Sequence, residues 1–284
     1  MKAEQLTDVC TYHGEGPMWD APAGVLRWVD MLNGDILTLT PAGDIDRLHV
    51  GTVAAAMRPR AAGGLVVAVE HGFVLIDGAG QIGPEQVAFT DPAVRMNEGG
   101  VDRQGRFFFC GSMSYDKTSP RGAFYRYDPS GAVSRVFGDV TISNGVAWSA
   151  DGEQMFYIDS PTHRVDVFDY DAAAGMPSAR RPVVYVDPDH GVPDGMALDA
   201  EGGMWVAVHG GHAVHRYTPD GKLDTVIELP PGQVTACAFG GDDLDELYIT
   251  TSGENLPPGA DPQAGALFHA SPGVRGLPLG TFAG

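Results

Sequence analysis

The chain has 284 residues, 43% of them hydrophobic, which is enough to bury a full core without disulfide support. Gly (39) and Pro (21) make up about a fifth of it, well above the usual ~12%, so the chain must turn often between short elements. Eighteen Lys and Arg against 37 Asp and Glu give a formal net charge of −19, which excludes nucleic acid and an anionic membrane surface as expected partners.

Taken in chain order, the punctuation is periodic. One family of turn markers falls at 20–24, 60–64, 102–105, 150–152, 199–202 and 241–243. A second falls at 41–43, 78–80, 129–131, 173–175, 219–221 and 271–273, and the two alternate. The spacing within the second family averages 46 residues. After each first-family marker comes a short run rich in β-branched and aromatic residues, such as 25–29, 106–110, 154–158 and 204–208. A second such run precedes each second-family marker, as at 35–40, 123–127 and 165–169. These compositions favour strands, and no stretch reads as a helix. Four short strands per repeat, six times over, predict an all-β, six-bladed β-propeller filling 1–284 as a single domain. A β-sandwich fits six evenly spaced units poorly. Little chain remains after the last marker, so residues 3–10 are expected to supply the missing outer strand and close the ring.

Cys10, Cys110 and Cys237 are odd in number and far apart. They form no disulfide or zinc pattern and point to a reducing compartment. No apolar signal segment follows Met1, and apolar runs of about five residues are too short to span a bilayer. A soluble, cytoplasmic protein is expected, as a monomer or weak homodimer.

Aligning the repeats on the apolar residue before each first-family turn (Trp19, Val101, Trp148, Leu198, Phe239) places Glu15, Asn97, Asn144, Asp194 and Thr235 at one register, four positions earlier. The second repeat is degenerate, with its equivalent near Ala56. In a propeller the first strand of each blade lines the central channel, so these residues would ring one mouth. Two carboxylates and two amide oxygens brought together repel unless a cation sits between them. Hard oxygen donors suit Ca²⁺ first, then Mg²⁺ or Mn²⁺, and Zn²⁺ or Fe²⁺ less naturally. Single Asn-Gly or Asp-Gly pairs are ordinary turn signals, but recurrence at one register is not. Arg95 projects to the same side as Asn97. The loops expected at that mouth carry Tyr115, Arg121 and His209 as candidate substrate contacts, whereas Asp116 and His212 read as solvated loop residues. Two of those loops, 111–122 and 250–265, are long enough to act as lids.

The motifs Gly14-Glu15-Gly16-Pro17-Met18-Trp19, Arg95-Met96-Asn97-Glu98-Gly99, Ser143-Asn144-Gly145-Val146-Ala147-Trp148, Pro193-Asp194-Gly195-Met196 and Thr235-Ala236-Cys237-Ala238-Phe239 together resemble the SMP-30/gluconolactonase/regucalcin family, nearly end to end and in order. The resemblance implies a six-bladed propeller that binds one divalent metal and hydrolyses a sugar lactone. It implies that Glu15, Asn144 and Asp194 ligate the metal, that Asp194 is the general base, and that Arg95 and Asn97 contact substrate. The chain departs from the family pattern at Glu98, where Asp is usual, and near His209, where Trp is common. Segment 112–121 has no clear family counterpart.

The reaction these residues suggest is metal-assisted ester hydrolysis of a sugar lactone to its acid, with water activated by the metal, by Asp194 or by both. A serine triad is not expected, because Gly-x-Ser-x-Gly is absent. Three other readings use the same cup: a phosphotriester or aryl-ester hydrolase, a noncatalytic metal- or ligand-binding propeller, and a lyase or other tailoring enzyme.

Overall fold

The computed structural model describes residues 1–284 and contains only strands, turns and three single-turn 3-10 segments. A short N-terminal strand, β1 (Glu4–Gln5), precedes the first complete sheet, formed by β2 (Gly14–Asp20), β3 (Val25–Asp30), β4 (Asp35–Leu39) and β5 (Ile45–His49). The second sheet is β6 (Ala54–Pro59), β7 (Leu65–Val69), β8 (Gly72–Ile76) and β9 (Gln86–Val87). The third is β10 (Val94–Val101), β11 (Phe108–Ser114), β12 (Gly122–Tyr127) and β13 (Val133–Val140). The fourth is β14 (Ser143–Trp148), β15 (Gln154–Asp159), β16 (Arg164–Asp171) and β17 (Met176–Tyr185). The fifth is β18 (Val192–Leu198), β19 (Met204–His209), β20 (Ala213–Tyr217) and β21 (Leu223–Glu228). The sixth contains β22 (Val234–Gly240), β23 (Glu246–Thr251) and β24 (Phe268–Ala270), and takes β1 as its outer strand.

The inner strands β2, β6, β10, β14, β18 and β22 each touch the next, and β22 returns to β2. The fold is therefore a six-bladed propeller. Its ring closes as expected, through Glu4 opposite His269 and Gln5 opposite Phe268. Burial follows position in the blade. Every residue of β10 and β11 is buried, whereas the outer strand β17 is largely exposed. No helix is long and apolar enough to cross a membrane.

All six inner strands break their pairing at the ring residue or just after it. The irregularities fall between Glu15 and Met18, Ala54 and Ala56, Met96 and Glu98, Asn144 and Val146, Pro193 and Met196, and Val234 and Ala236. A bulge bends a strand and re-aims its side chains, and here it turns one residue per blade toward the channel. The degenerate second repeat is settled by the same feature: Ala55, beside Ala56 as expected, occupies the ring register. Glycine follows the ring residue where neighbouring strands crowd. A Cβ on Gly145 would lie 2.6 Å from the Met196 side chain, and one on Gly195 would lie 2.5 Å from the Ala236 Cβ.

The C-terminal segment does more than the sequence suggested. Beyond the last strand it crosses the end of the channel opposite Glu15, bonding to one blade after another. Gly276 N–H donates to Leu244 O (2.7 Å), Ala200 N–H to Arg275 O (2.8 Å) and Leu277 N–H to Leu198 O (3.3 Å). Arg103 donates to Pro278 O (2.6 Å). Phe282 and Pro59 then join through Phe282 N–H to Pro59 O (2.8 Å). The Phe282 ring is fully buried and stacks on Tyr127 with centroids 5.6 Å apart.

Candidate metal and substrate site

The bulges bring Glu15, Asn97, Asn144 and Asp194 together at one mouth of the channel, all buried. They line a cavity of about 180 Å³ with His13, Arg95, Lys117, Ser160, His209 and Glu254. Ala55 and Thr235 complete the ring register without a charge; Thr235 turns its hydroxyl to Gly14 O (2.6 Å).

The two carboxylates are poorly compensated. Glu15 accepts only the N–H of its neighbour Gly16 (2.9 Å), and Asp194 accepts no hydrogen bond within the protein. Burial, followed by repulsion from Asp194 and Glu98, pushes the Glu15 carboxyl well above its usual range. Burial and Glu98 do the same to Asp194. Glu98 lies one residue along the channel from Asn97 and is itself raised to about 7 by burial, against the opposing charge of Arg58. Buried anions of this kind are costly unless a cation neutralises them.

The amides are held more firmly. Asn144 Nδ2 donates to Ser160 Oγ (2.7 Å), and Ser160 Oγ donates to Pro193 O (2.6 Å), which fixes Asn144 Oδ1 as the face turned toward its neighbours. Asn97 Nδ2 donates to Ser143 O (2.7 Å) and to Asn144 Oδ1 (3.0 Å). Arg95 donates to Asn97 Oδ1 (2.6 Å) and to Met96 O (2.9 Å). Each amide oxygen accepts one hydrogen bond and keeps a second lone pair, but that of Asn97 faces the Arg95 cation, whereas that of Asn144 meets only a neutral amide donor. Glu15, Asn144 and Asp194 therefore offer hard oxygen donors with excess negative charge, and this donor set fits a divalent cation. No group of three His, Cys, Asp or Glu side chains gathers in the chain; the cup mixes two carboxylates with amide oxygen. Replacing Ser160 by Ala is expected to leave the fold intact and weaken cation binding about 10- to 100-fold by freeing the Asn144 amide, which calorimetric titration would read.

The candidate substrate contacts divide. Arg95 and His209 line the cavity; His209 pairs its Nε2 with Gln233 Oε1 (3.1 Å). Tyr115 lies off the lining. Its hydroxyl donates to Glu70 (2.6 Å), and its ring packs near the Arg95 guanidinium (6.0 Å). Arg121 also lies off the lining, half-exposed and paired with Asp91 (2.5 Å). Segment 112–121 begins as strand, since β11 runs to Ser114, and only the residues beyond it form the lid turn. Asp116 accepts from Ser119 N–H (2.8 Å) and Thr118 N–H (2.9 Å) in that turn, as befits a loop residue.

Reading the sequence missed His13, Lys117, Ser160 and Glu254. The alternation of a strand could have found His13, two residues before Glu15. Lys117 and Glu254 sit in the two long loops and meet across the mouth at 2.9 Å.

Comparison with known proteins accords with this architecture. The sequence model of the family described as SMP-30/Gluconolactonase/LRE-like region matches residues 13–253. The chain belongs to this family. Regucalcin of Danio rerio is 35% identical over 280 residues, covering 95% of both chains. A Bacillus subtilis (strain 168) protein named "Putative sugar lactone lactonase YvrE" is 33% identical, covering 100% of this chain and 99% of its own. Among solved structures, a calcium-binding protein, regucalcin, from Agrobacterium tumefaciens superposes with a TM-score of 0.92 at 26% identity, covering 99% of this chain and 97% of that one. The family match begins at His13 and so includes all four ring residues with carboxylate or amide side chains at the mouth.

Proposed function

We propose that this protein is a metal-dependent lactonase that opens a sugar lactone to the corresponding acid. The observation that carries the reading is the pair of buried, uncompensated carboxylates of Glu15 and Asp194 beside the anchored amide of Asn144. Relatives named for calcium binding and for sugar lactone hydrolysis support it.

Glu15, Asn144 and Asp194 would hold one divalent cation, with Ca²⁺ the first candidate. When bound, such an ion supplies positive charge against a lactone carbonyl. Arg95 orients the substrate: its guanidinium is held on one edge by Asn97 Oδ1 and Met96 O and lines the cavity. Asn97 lies against Asn144 and carries that orientation to the cup. Asp194 receives the proton of the attacking water at a carboxylate oxygen. The lid pair Lys117 and Glu254 narrows the opening through which water enters.

The reading is tested by offering the reloaded protein a panel of aldonolactones beside aryl esters and phosphotriesters. Preferential opening of aldonolactones, with the acid identified as product, is expected. Turnover confined to aryl esters or phosphotriesters, or cation binding with no turnover, would replace the reading by one of the other uses of the cup.

A further inference from the structure

The wall of the cavity beside the cup holds a feature that the proposed hydrolysis does not use. His13 is buried and lies two residues before Glu15, on the same side of the extended chain. Its Nδ1 is 2.7 Å from Ser252 Oγ. That oxygen already accepts the Glu254 N–H (3.0 Å), so its own proton is free to go to His13. No other acceptor competes for this proton. The Glu254 carboxylate, 3.9 Å from Nδ1, is too distant to claim a hydrogen from the imidazole. With Ser252 donating to Nδ1, the ring proton of a neutral imidazole sits on Nε2. Nε2 has no partner in the protein and is not sealed from the cavity that His13 lines.

We infer that His13 is a substrate-positioning residue whose Nε2–H donates to a hydroxyl oxygen of a polyhydroxylated lactone, away from the carbonyl that is attacked. The inference rests on the lactonase reading and adds to it the group that distinguishes a sugar lactone from a bare one. The position suits this role. His13 shares its wall with Glu254, Lys117 and His209, a set of donors and acceptors matched to ring hydroxyls. Ser252 sets the tautomer and the ring orientation, so it acts through His13.

The test compares His13→Phe, His13→Gln and Ser252→Ala with wild type on D-glucono-δ-lactone and on unsubstituted δ-valerolactone, with spontaneous hydrolysis subtracted and cation affinity measured by calorimetry. His13→Phe is expected to raise KM for the hydroxylated lactone about tenfold, the loss of one well-placed hydrogen bond, with kcat within about twofold and kinetics on valerolactone unchanged. His13→Gln, which keeps an N–H donor, should recover part of the loss, and Ser252→Ala should reproduce part of it. Cation affinity should hold in all three. Equal losses on both lactones, or no loss on either, would overturn the inference while leaving the lactonase reading standing. Absence of turnover of both lactones by the wild-type protein would overturn the lactonase reading and this inference with it. Should His13→Phe fail to fold, the Gln and Ser252→Ala variants carry the same comparison.

Discussion

Asp194→Asn is expected to abolish metal-dependent lactone hydrolysis, by at least about a thousandfold, and at the same time to make the chelated protein more heat-stable. The first effect follows from removing the proposed charged ligand and the proposed proton acceptor together. The second follows from the cost of the cup. Burial and neighbouring carboxylates raise Asp194 and Glu15 in the folded, cation-free protein. A carboxyl whose folded value lies above its unfolded value of about 4 folds without penalty when protonated. It destabilises the fold as pH rises from there toward the raised value. At neutral pH the neutral amide of Asn removes that penalty, on the order of 2 kcal/mol, or roughly 5 °C in Tm for a chain of this size. His13 acts in the opposite direction. Its value is depressed to about 3, so its contribution is lost as pH falls below the usual histidine range. The quantity to read is therefore the difference in Tm between wild type and variant, both chelated. It should widen from about pH 4 to pH 7 and shrink when cation is restored to the wild type. A variant less stable than wild type in chelator at neutral pH would mean that the carboxylate is compensated within the protein.

Phe282→Ala is expected to produce the largest loss of stability, with the cup left intact. The ring is fully buried against Tyr127 in the largest apolar cluster, which joins the first three blades. Truncating a buried Phe to Ala costs about 3–5 kcal/mol, or roughly 6–15 °C in Tm. The consequence reaches beyond one cavity, because the same segment ties the sixth and fifth blades to the third and second through Gly276, Leu277, Pro278 and Phe282. The ring is thus closed twice, by β1 at an outer edge and by the C-terminal segment across the far mouth. Because that segment lies at the end opposite Glu15, cation affinity of the folded variant should stay within about twofold of wild type. A change in Tm of less than about 2 °C would show that the segment rests on the propeller without bracing it.

The propeller was legible because its signals repeat. Turn markers fixed the blade period, and oxygen-bearing side chains recurring at one register marked the mouth of the channel. The common cause is the bulge in each inner strand, which aims Glu15, Asn97, Asn144 and Asp194 inward from different parts of the sequence. The second repeat could be placed only as near Ala56, because alanine carries no chemical mark of the register. Arg121 and Tyr115 were legible as loop residues at the right mouth, but loop position does not fix direction. Asp91 and Glu70 hold their polar ends away from the cavity lining. Glu254 and Lys117 were hidden for the same reason, since their pairing depends on how two long loops fold toward each other. The C-terminal segment carried no repeat, and its role depends on surfaces supplied by four different blades.

Proton release from an aldonolactone, followed with chelated and with cation-reloaded wild-type protein, separates cation-dependent hydrolysis from every other use of the cup. Release at the spontaneous rate in chelator and restored turnover on reloading, saturating with one divalent ion per chain, are expected. Full activity in chelator, with the protein verified free of cation, would contradict that dependence.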